Sequence, residues 1–212
     1  MVLLTVSELI GLEKVAAAWQ GDGRPPRKKI KGVSTDSRNI KSGELFFAIV
    51  GEKFDGHKFV QTALDSDALA VVVNKDWFKK NKKKFAGQPV VTVKDTLVAY
   101  QELARYYKNK FDIPAIAITG SAGKTTTKEF VASVLETQFK VHRSQKSYNN
   151  HVGVPITLFG LEKEHEILVA ELGTNHFGEL DRLSYLVEPS TCVLTNIGYA
   201  HLEFFKSREG VA

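Results

Sequence analysis

The sequence predicts an α/β protein in which a small α/β domain is followed by a domain with a mostly parallel sheet. Short runs rich in valine, isoleucine and phenylalanine recur along the chain, and in its second half they alternate with stretches of helical periodicity. Such alternation needs crossover connections, which make neighbouring strands parallel and cover the sheet with helices. The polar segment Lys108–Pro114 separates the two parts. We therefore predict one domain at residues 1–109 and a second at residues 110–212.

The first domain is predicted to contain both strands and a helix. The strands are expected at Leu45–Val50, Ala68–Val73 and Pro89–Val93. Apolar residues then recur at helical spacing from Thr96 to Lys108, and Asp95 is placed to cap the start of that helix.

The second domain is predicted to alternate between strand and helix throughout. The expected strands are Ala115–Thr119, Glu166–Glu171 and Thr191–Ile197, and the expected helices are Thr125–Phe139 and a stretch around Gly178–Leu186. Ligands of parallel sheets bind outside the carboxyl ends of the strands. The residues that directly follow these strands are therefore the candidates for chemistry.

Composition and charge argue against several functional classes. The formal net charge is +5, but much of the excess lies in two clusters, Arg24–Lys31 and Lys79–Lys84. Neither is interleaved with aromatic residues as in nucleic-acid recognition, so solvated surface is expected. The single cysteine, Cys192, excludes an internal disulfide and suits a reducing compartment. Because Cys192 lies in an apolar run, we predict a buried structural thiol.

The chain carries no sequence signal for a membrane. No run of about 18 apolar residues occurs, and the N-terminus lacks the basic start and long apolar core of a signal peptide. We predict no membrane insertion and a location in the cytoplasm.

The segment from Ile118 to Thr127 reads ITGSAGKTTT and directly follows an apolar strand. Glycines in such a turn let backbone N–H groups approach phosphate oxygens, and the N-terminus of the following helix favours an anion. Lys124 would reach the β- and γ-phosphates of ATP, and the hydroxyl of Thr125 would bind Mg²⁺. The loop is not a strict Walker A sequence, because Ile118 stands where the first glycine is expected.

This loop is the predicted ATP site. Its residues are Gly120, Ser121, Ala122, Gly123, Lys124, Thr125 and Thr126. The alternative interpretation is an ordinary helix N-terminus preceded by a turn glycine.

An acid and a histidine follow the other strands of the second domain. Glu171 ends one apolar run, and His201 comes shortly after another. Mg²⁺ prefers oxygen ligands, so the histidine would be one member of a mixed, hydrated shell. We predict Thr125, Glu171 and His201 as metal ligands, with Lys124, Glu171 and His201 as the catalytic residues. The alternative is a capping or salt-bridged carboxylate and an exposed histidine without a role.

Several short strings resemble the Mur ligase family. They are TGSAGKTT from Thr119, YNNHVGVP from Tyr148, ELGTNH from Glu171, TNIG from Thr195 and AHLE from Ala200. In the first domain, STDSR from Ser34 and FDGH from Phe54 resemble the UDP-sugar-binding domain of that family. The resemblance covers essentially the whole chain. ELGTNH and AHLE favour the members that add a dipeptide over those that add the third peptide residue.

The resemblance implies an ATP-dependent amide ligase of peptidoglycan precursor synthesis. ATP would phosphorylate the terminal carboxylate of UDP-N-acetylmuramoyl-tripeptide, and the amine of D-alanyl-D-alanine would attack the acyl phosphate. Thr125 would hold a first Mg²⁺, and Glu171 and His201 would hold a second.

The resemblance also implies a set of substrate-binding residues. These are Ser37 and Arg38 for the uridine diphosphate, Glu52, Lys53 and Phe54 beside it, and Asn150, Thr174 and Asn175 in the second domain. Asn149 is an equal contender to Asn150 for the contact near the γ-phosphate.

Members of the family are longer than this chain and have a further C-terminal domain. We therefore expect a truncated second domain that ends at Ala212, and a monomeric fragment that is inactive as a ligase when alone. Two other classes stay open: a different P-loop enzyme, such as a GTPase or small-molecule kinase, and a non-catalytic UDP-sugar-binding module.

Overall fold

The computed structural model describes residues 4–51, 54–145 and 148–211. The chain forms a mixed α/β fold with parallel sheets, which confirms the predicted class. It divides after Leu103 into two compact units, residues 1–103 and 104–212. The predicted domain boundary, after residue 109, lies a few residues further on.

The first unit contains a five-stranded sheet and short helices. In chain order its elements are α1 (Val6–Ile10), β1 (Ala18–Trp19), β2 (Val33–Ser34), β3 (Leu45–Phe47), a 3₁₀ turn (Gly56–Phe59), α2 (Val60–Asp65), β4 (Ala70–Asn74), α3 (Lys75–Asn81), β5 (Val90–Val93) and α4 (Thr96–Lys108), which continues past the division. The strand order is β1-β5-β4-β3-β2, and only β1 is antiparallel to its neighbour.

Burial explains why the central strands of this sheet are continuous apolar runs. All residues of β3 and β5 are buried, as expected for parallel strands that are covered on both faces. The predicted strand at 45–50 ends at Phe47, and Val50 pairs only through an isolated bridge to Asp55. The core on one face is built from Phe46, Val71 and neighbouring apolar residues.

The second unit contains a four-stranded, fully parallel sheet. Its elements are β6 (Ala115–Thr119), α5 (Lys124–Leu135), β7 (Val141–Arg143), α6 (Gly153–Phe159), β8 (Ile167–Glu171), α7 (Glu179–Val187), β9 (Thr191–Leu194), α8 (Leu202–Phe205) and α9 (Arg208–Val211). The strand order is β7-β8-β6-β9, so β6 and β8 lie at the centre. The carboxyl ends of β6, β8 and β9 therefore lie side by side, as the predicted site requires.

The prediction of a buried thiol at Cys192 is wrong. Cys192 is exposed, and so is Leu194 two residues later. Both lie on β9, which is an edge strand of the sheet and therefore has a strand neighbour on one side only. The pattern of apolar residues identified the strand correctly but carried no information about its place in the sheet.

No helix within the described ranges is long and apolar enough to cross a membrane.

The half-buried imidazole of His142 on β7 makes the stability of the second unit sensitive to acid. Its pKa lies below the ordinary value of 6.5, chiefly because burial disfavours the imidazolium, although Nε2 lies 2.7 Å from the carbonyl oxygen of Thr157. As the pH falls below 6.5, the unfolded chain takes up a proton that the folded chain does not, so the free energy of unfolding falls until the folded imidazole also titrates.

We expect His142→Gln to remove much of this acid sensitivity, because a glutamine amide can still donate to Thr157 but does not titrate. Urea unfolding followed by circular dichroism at about pH 7.5 and about pH 5.5 measures the effect. His151→Gln, at an exposed histidine, is the control. Equal loss of stability on acidification in His142→Gln and the unaltered protein would contradict the assignment.

Candidate functional site

The loop between β6 and α5 has the backbone geometry of an anion site. Gly120 and Gly123 have φ values of 132° and 78°, which glycine adopts without strain. Gly123 is the N-cap residue of α5, and it provides no side-chain cap. The N–H groups in the first turn of α5 have no carbonyl one turn earlier to receive them. They are therefore available to an anion at the helix N-terminus.

The segment that follows β9 holds this loop in place. The side chain of Asn196 forms a reciprocal pair with the backbone of Ala122: Oδ1 accepts from N–H at 3.1 Å and Nδ2 donates to the carbonyl at 3.0 Å. The hydroxyl of Thr195 donates to the same carbonyl at 2.6 Å. The Ser121 hydroxyl accepts from the N–H of Gly198 at 2.9 Å. The predicted strand over 191–197 ends at Leu194 because the next residues make these contacts.

Lys124 lies across the mouth of the loop. Its Nζ donates to the carbonyl of Gly120 at 2.6 Å, so the ammonium group already lies over the backbone that would surround a phosphate. The first residue of α5 is therefore placed to exchange this carbonyl for phosphate oxygens.

The structure brings Glu171 into direct contact with the loop. Glu171 ends β8 and is 1% exposed. Its Oε2 accepts from the hydroxyl of Thr125 at 2.9 Å, and its Oε1 accepts from the amide of Asn149 at 2.8 Å. Its backbone N–H donates to the hydroxyl of Ser144, which is also buried. The carboxylate is thus fixed beside the start of α5.

His201 lies on the same side of the sheet as the loop. It precedes α8 with a left-handed backbone, φ 51°, and it is exposed. It lines a cavity of about 280 Å³ together with Gly120, Lys124 and Thr174. The sequence-predicted residues His201 and Lys124 therefore share one cavity, while Glu171 and Thr125 are in contact.

The donor set at Glu171 fits a hard divalent cation that arrives with a nucleotide. Thr125 and Glu171 offer a hydroxyl and a carboxylate 2.9 Å apart, both oxygen donors. In the part of the chain that the structure describes, no group of three or more histidine, cysteine, aspartate or glutamate side chains could hold a metal by itself. Mg²⁺ is commonly held by one or two carboxylates together with phosphate oxygens and water. The residues present fit such a site.

The two adjacent asparagines have different environments. Asn149 contacts Glu171, whereas the side-chain oxygen of Asn150 accepts from the N–H groups of Val152 and Gly153, at 3.1 and 2.8 Å, near the start of α6. Asn150 therefore stabilises a helix start, and Asn149 is the one at the carboxylate.

Thr174 and Asn175 lie in the loop after β8. The Thr174 hydroxyl donates to the carbonyl of His176 at 2.9 Å, and the N–H of Asn175 donates to Glu179 at 2.7 Å. The backbone N–H of His176 donates to the same carboxylate oxygen of Glu179 at 3.0 Å. This ordered loop carries Thr174 to the edge of the cavity.

In the first unit, Ser37 and Arg38 follow β2. Ser37 is buried, whereas the Arg38 side chain is 84% exposed. The guanidinium of Arg38 donates to both carboxylate oxygens of Asp36, with Nε–Oδ1 at 2.9 Å and Nη2–Oδ2 at 2.7 Å. These hydrogen bonds lower the pKa of Asp36 to about 2. Phe54 is exposed.

Two of the predicted substrate-binding residues, Glu52 and Lys53, lie outside the described residues.

The sequence analysis did not assign a role to several residues that contact Glu171 or the phosphate loop, or lie close to them. Lys128 is fully buried near Glu171, and Ser144 and Thr195 make the contacts described above. Lys128 follows Thr125 by three residues on one helix face, and Thr195 lies within the strand predicted at 191–197. The helical spacing places Lys128 on the same face as Thr125, but no sequence signal marked its burial, and nothing in the sequence indicated Ser144.

Comparison with known proteins identifies the family of both parts of the chain. A model described as the Mur ligase middle domain matches residues 118–212, and one described as Mur ligase family, catalytic domain, matches residues 29–108. The UDP-N-acetylmuramoyl-tripeptide–D-alanyl-D-alanine ligase of Bacillus subtilis is 41% identical over 183 residues, which cover 86% of this chain and 39% of that protein.

Solved structures of MurF proteins are similar to this chain. The crystal structure of MurF from Acinetobacter baumannii is similar with a TM-score of 0.87 and 36% identity, over 98% of this chain and 44% of that one. The MurF ligase of Thermotoga maritima, in complex with ADP, is similar with a TM-score of 0.75 and 31% identity, over 86% of this chain and 41% of that one. The chain thus spans 39–44% of the length of these proteins.

Proposed function

Since the chain belongs to the Mur ligase family, with family models matching most of its length, we propose that it carries the ATP site and the UDP-sugar site of an ATP-dependent ligase. The ligase would join D-alanyl-D-alanine to UDP-N-acetylmuramoyl-tripeptide. The similar proteins whose names specify this reaction are the basis for the choice of substrates.

The observation that carries the proposal is the contact between Thr125 and Glu171. It joins the phosphate loop to an acid at the end of a neighbouring strand, with the two oxygens 2.9 Å apart. Lys124 lies at the same loop. An ordinary helix N-terminus would need none of these partners, whereas a triphosphate with a divalent cation needs all of them.

The proposed reaction brings together two anions, the triphosphate and the terminal carboxylate of the tripeptide. Positioning and positive charge supply most of the rate enhancement in phosphoryl transfer. Lys124 would neutralise charge on the phosphates, and the N–H groups of α5 would orient them. Thr125, Glu171 and His201 would hold Mg²⁺, which when bound supplies further positive charge at the phosphates.

The first unit would bind the uridine diphosphate. Asp36 orients the Arg38 guanidinium through two hydrogen bonds, and the side chain is exposed, so a diphosphate can reach it from solvent. Ser37 beside it, with Glu52, Lys53 and Phe54, would complete that site. In the second unit, Thr174 and Asn175 are the proposed contacts of the tripeptide end, and the contact of Asn149 with Glu171 favours it over Asn150 for the position near the γ-phosphate.

A calorimetric titration of the chain with ATP and with GTP, each with and without Mg²⁺, tests the nucleotide half of the proposal. We expect saturable binding of ATP that Mg²⁺ strengthens. A preference for GTP would contradict the ligase assignment and support a different P-loop enzyme.

A titration with UDP-N-acetylmuramoyl-tripeptide tests the substrate half. We expect Arg38→Ala and Ser37→Ala to weaken binding, with Arg24→Ala, at an exposed arginine of the same unit, as the control. Binding of the UDP-sugar without any binding of ATP would instead support the non-catalytic binding module.

The hydroxyl of Thr195 offers a separate test of the loop, because it donates to the carbonyl of Ala122 at 2.6 Å. We expect Thr195→Val, which has the same shape without the hydroxyl, to weaken ATP binding about fivefold, as for one lost hydrogen bond of about 1 kcal/mol. Thr195→Ser keeps the hydroxyl and is expected to bind ATP like the unaltered chain. Equal affinities of the valine and serine variants in the same titration would contradict this role.

A further inference from the structure

Lys128 is a fully buried cation that the proposed mechanism does not use. It lies on α5 with 0% exposure, and its Nζ donates to the carbonyl of Ser144 at 2.8 Å. Two carboxylates lie close by: Oε1 of Glu129 at 2.9 Å and Oε2 of Glu171 at 3.9 Å. A buried ammonium group is costly unless opposite charges and acceptors surround it. The surroundings of Lys128 supply both.

The distances show that Lys128 is shared unequally between its two carboxylates. It is within hydrogen-bond distance of Glu129, whose side chain is 48% exposed, and about an ångström too far from the buried Glu171 for such a bond. Glu129 is itself fixed, because its Oε2 lies 3.1 Å from Nε of Arg143. The charges thus alternate from the buried carboxylate to the surface.

The two carboxylate oxygens of Glu171 accept hydrogen bonds from neutral groups, and not from the lysine. Thr125 and Asn149 donate to its two oxygens. A hydroxyl or an amide can turn or move aside for a cation, whereas an ammonium group in direct contact would neutralise the carboxylate and repel the incoming ion.

We propose that Lys128 and Glu129 are positioning residues that set how strongly Glu171 binds a divalent cation. Glu129 holds Lys128 away from Glu171 and so preserves the affinity of that carboxylate for the ion. Lys128 limits the affinity, so that the ion binds well only together with the phosphates of a nucleotide. This inference rests on the proposed nucleotide site.

The proposal requires substitutions at the two residues to act in opposite directions. In Glu129→Gln, Lys128 loses its nearer charged partner and is expected to move onto Glu171, which weakens divalent-cation binding about fivefold to tenfold. In Lys128→Met, Glu171 loses the opposing cation, so binding is expected to strengthen by a similar factor. A purely structural role would weaken binding in both.

The experiment measures Mn²⁺ binding to the full chain by electron paramagnetic resonance, with and without ATP, and ATP binding in the absence of metal by calorimetry. Glu136→Gln is the matched control, because Glu136 also pairs with Arg143 but makes no described contact with Lys128. We expect weaker Mn²⁺ binding in Glu129→Gln than in Glu136→Gln, with metal-free ATP affinity unchanged in both. The effect of Glu129→Gln is expected to disappear when Lys128 is already methionine.

Three results would overturn the inference. The first is an equal Mn²⁺ affinity of Glu129→Gln and Glu136→Gln, and the second is weaker Mn²⁺ binding in both Glu129→Gln and Lys128→Met. The third is an undiminished effect of Glu129→Gln on Mn²⁺ binding in the protein that already carries Lys128→Met. If Lys128→Met does not fold, the comparison of the two glutamate variants decides alone. Failure of the unaltered chain to bind ATP both with and without a divalent cation would overturn the proposed nucleotide site itself, and this inference with it.

Discussion

Replacing Lys124 by alanine is expected to weaken ATP binding by about a hundredfold, because the ammonium group makes charge-assisted bonds to phosphates worth about 3 kcal/mol. In the absence of nucleotide, Lys124 contributes one hydrogen bond, to the carbonyl of Gly120 on the same loop. Its removal is therefore expected to change the stability of the second unit very little. Calorimetric titration with ATP measures the affinity, and urea unfolding measures the stability.

Two comparisons separate phosphate recognition from a general loss of structure. AMP lacks the β- and γ-phosphates, so its affinity is expected to be the same in Lys124→Ala and the unaltered protein. Lys163→Ala removes the same charge from an exposed position of the second unit and is expected to bind ATP normally. An ATP affinity of Lys124→Ala within about threefold of the unaltered protein would contradict the assignment of this loop, since one charged contact is worth more than that.

The parallel sheet of the second unit could be predicted because its central strands are continuous apolar runs. β6 and β8 lie in the middle of the sheet, and the predicted ranges match them almost residue for residue. β7 was not predicted, because it has only three residues, all half-buried, and includes the polar His142 and Arg143. Periodicity needs a longer run than that to stand out from a loop.

The exposure of residues on β9 could not be predicted from the sequence for a different reason. The run around Cys192 is apolar and does form a strand. Whether such a strand lies at the centre or the edge depends on which other strands pair with it, and that order is a property of the assembled sheet. The burial of Cys192 therefore could not be decided from its neighbours in the chain.

The candidate site shows a similar division. Lys124 and Glu171 were predicted because each lies at the end of a recognisable strand or at the start of the helix that follows one. Asn149 and Asn150 are adjacent, so the direction of the backbone in the loop alone decides which of them reaches Glu171. Lys128 was not singled out, because lysine is rarely buried and a sequence gives no warning of the exception.

Replacing the glycines of the site is the second change for which we expect a large effect. The glycines differ in the space around the missing Cβ atom and in their backbone conformation. A Cβ atom at Gly120 would lie 2.2 Å from the hydroxyl of Thr195, and the φ of 132° is itself unfavourable for alanine. A Cβ at Gly123 would meet nothing within 4 Å, although its φ of 78° is strained. A Cβ at Gly198 would meet Ser121 at 3.6 Å, an ordinary contact, and its φ lies outside the unfavourable range.

We therefore expect three distinct outcomes from three alanine substitutions. Gly120→Ala is expected to abolish ATP binding and lower the free energy of unfolding by about 3 kcal/mol, because the loop must move to relieve both the steric clash and the unfavourable backbone conformation. Gly123→Ala is expected to cost about 1 kcal/mol from its backbone conformation, yet to block the phosphates by filling the space they need. Gly198→Ala is expected to leave both properties within about 0.5 kcal/mol of the unaltered protein.

Measuring ATP affinity and urea unfolding on the same three variants distinguishes the loop geometry from a mere preference for glycine. If glycine were needed only for chain flexibility, the three substitutions would have similar effects, since each replaces one glycine in a loop beside the site. The contact with Thr195 can be tested further in two double variants, in which Gly120→Ala is combined with Thr195→Ser or with Thr195→Ala. Thr195→Ser retains the hydroxyl and Thr195→Ala removes it, so only Thr195→Ala is expected to restore part of the stability lost in Gly120→Ala. Equal stability of the two double variants would mean that the hydroxyl of Thr195 is not what excludes a side chain at position 120.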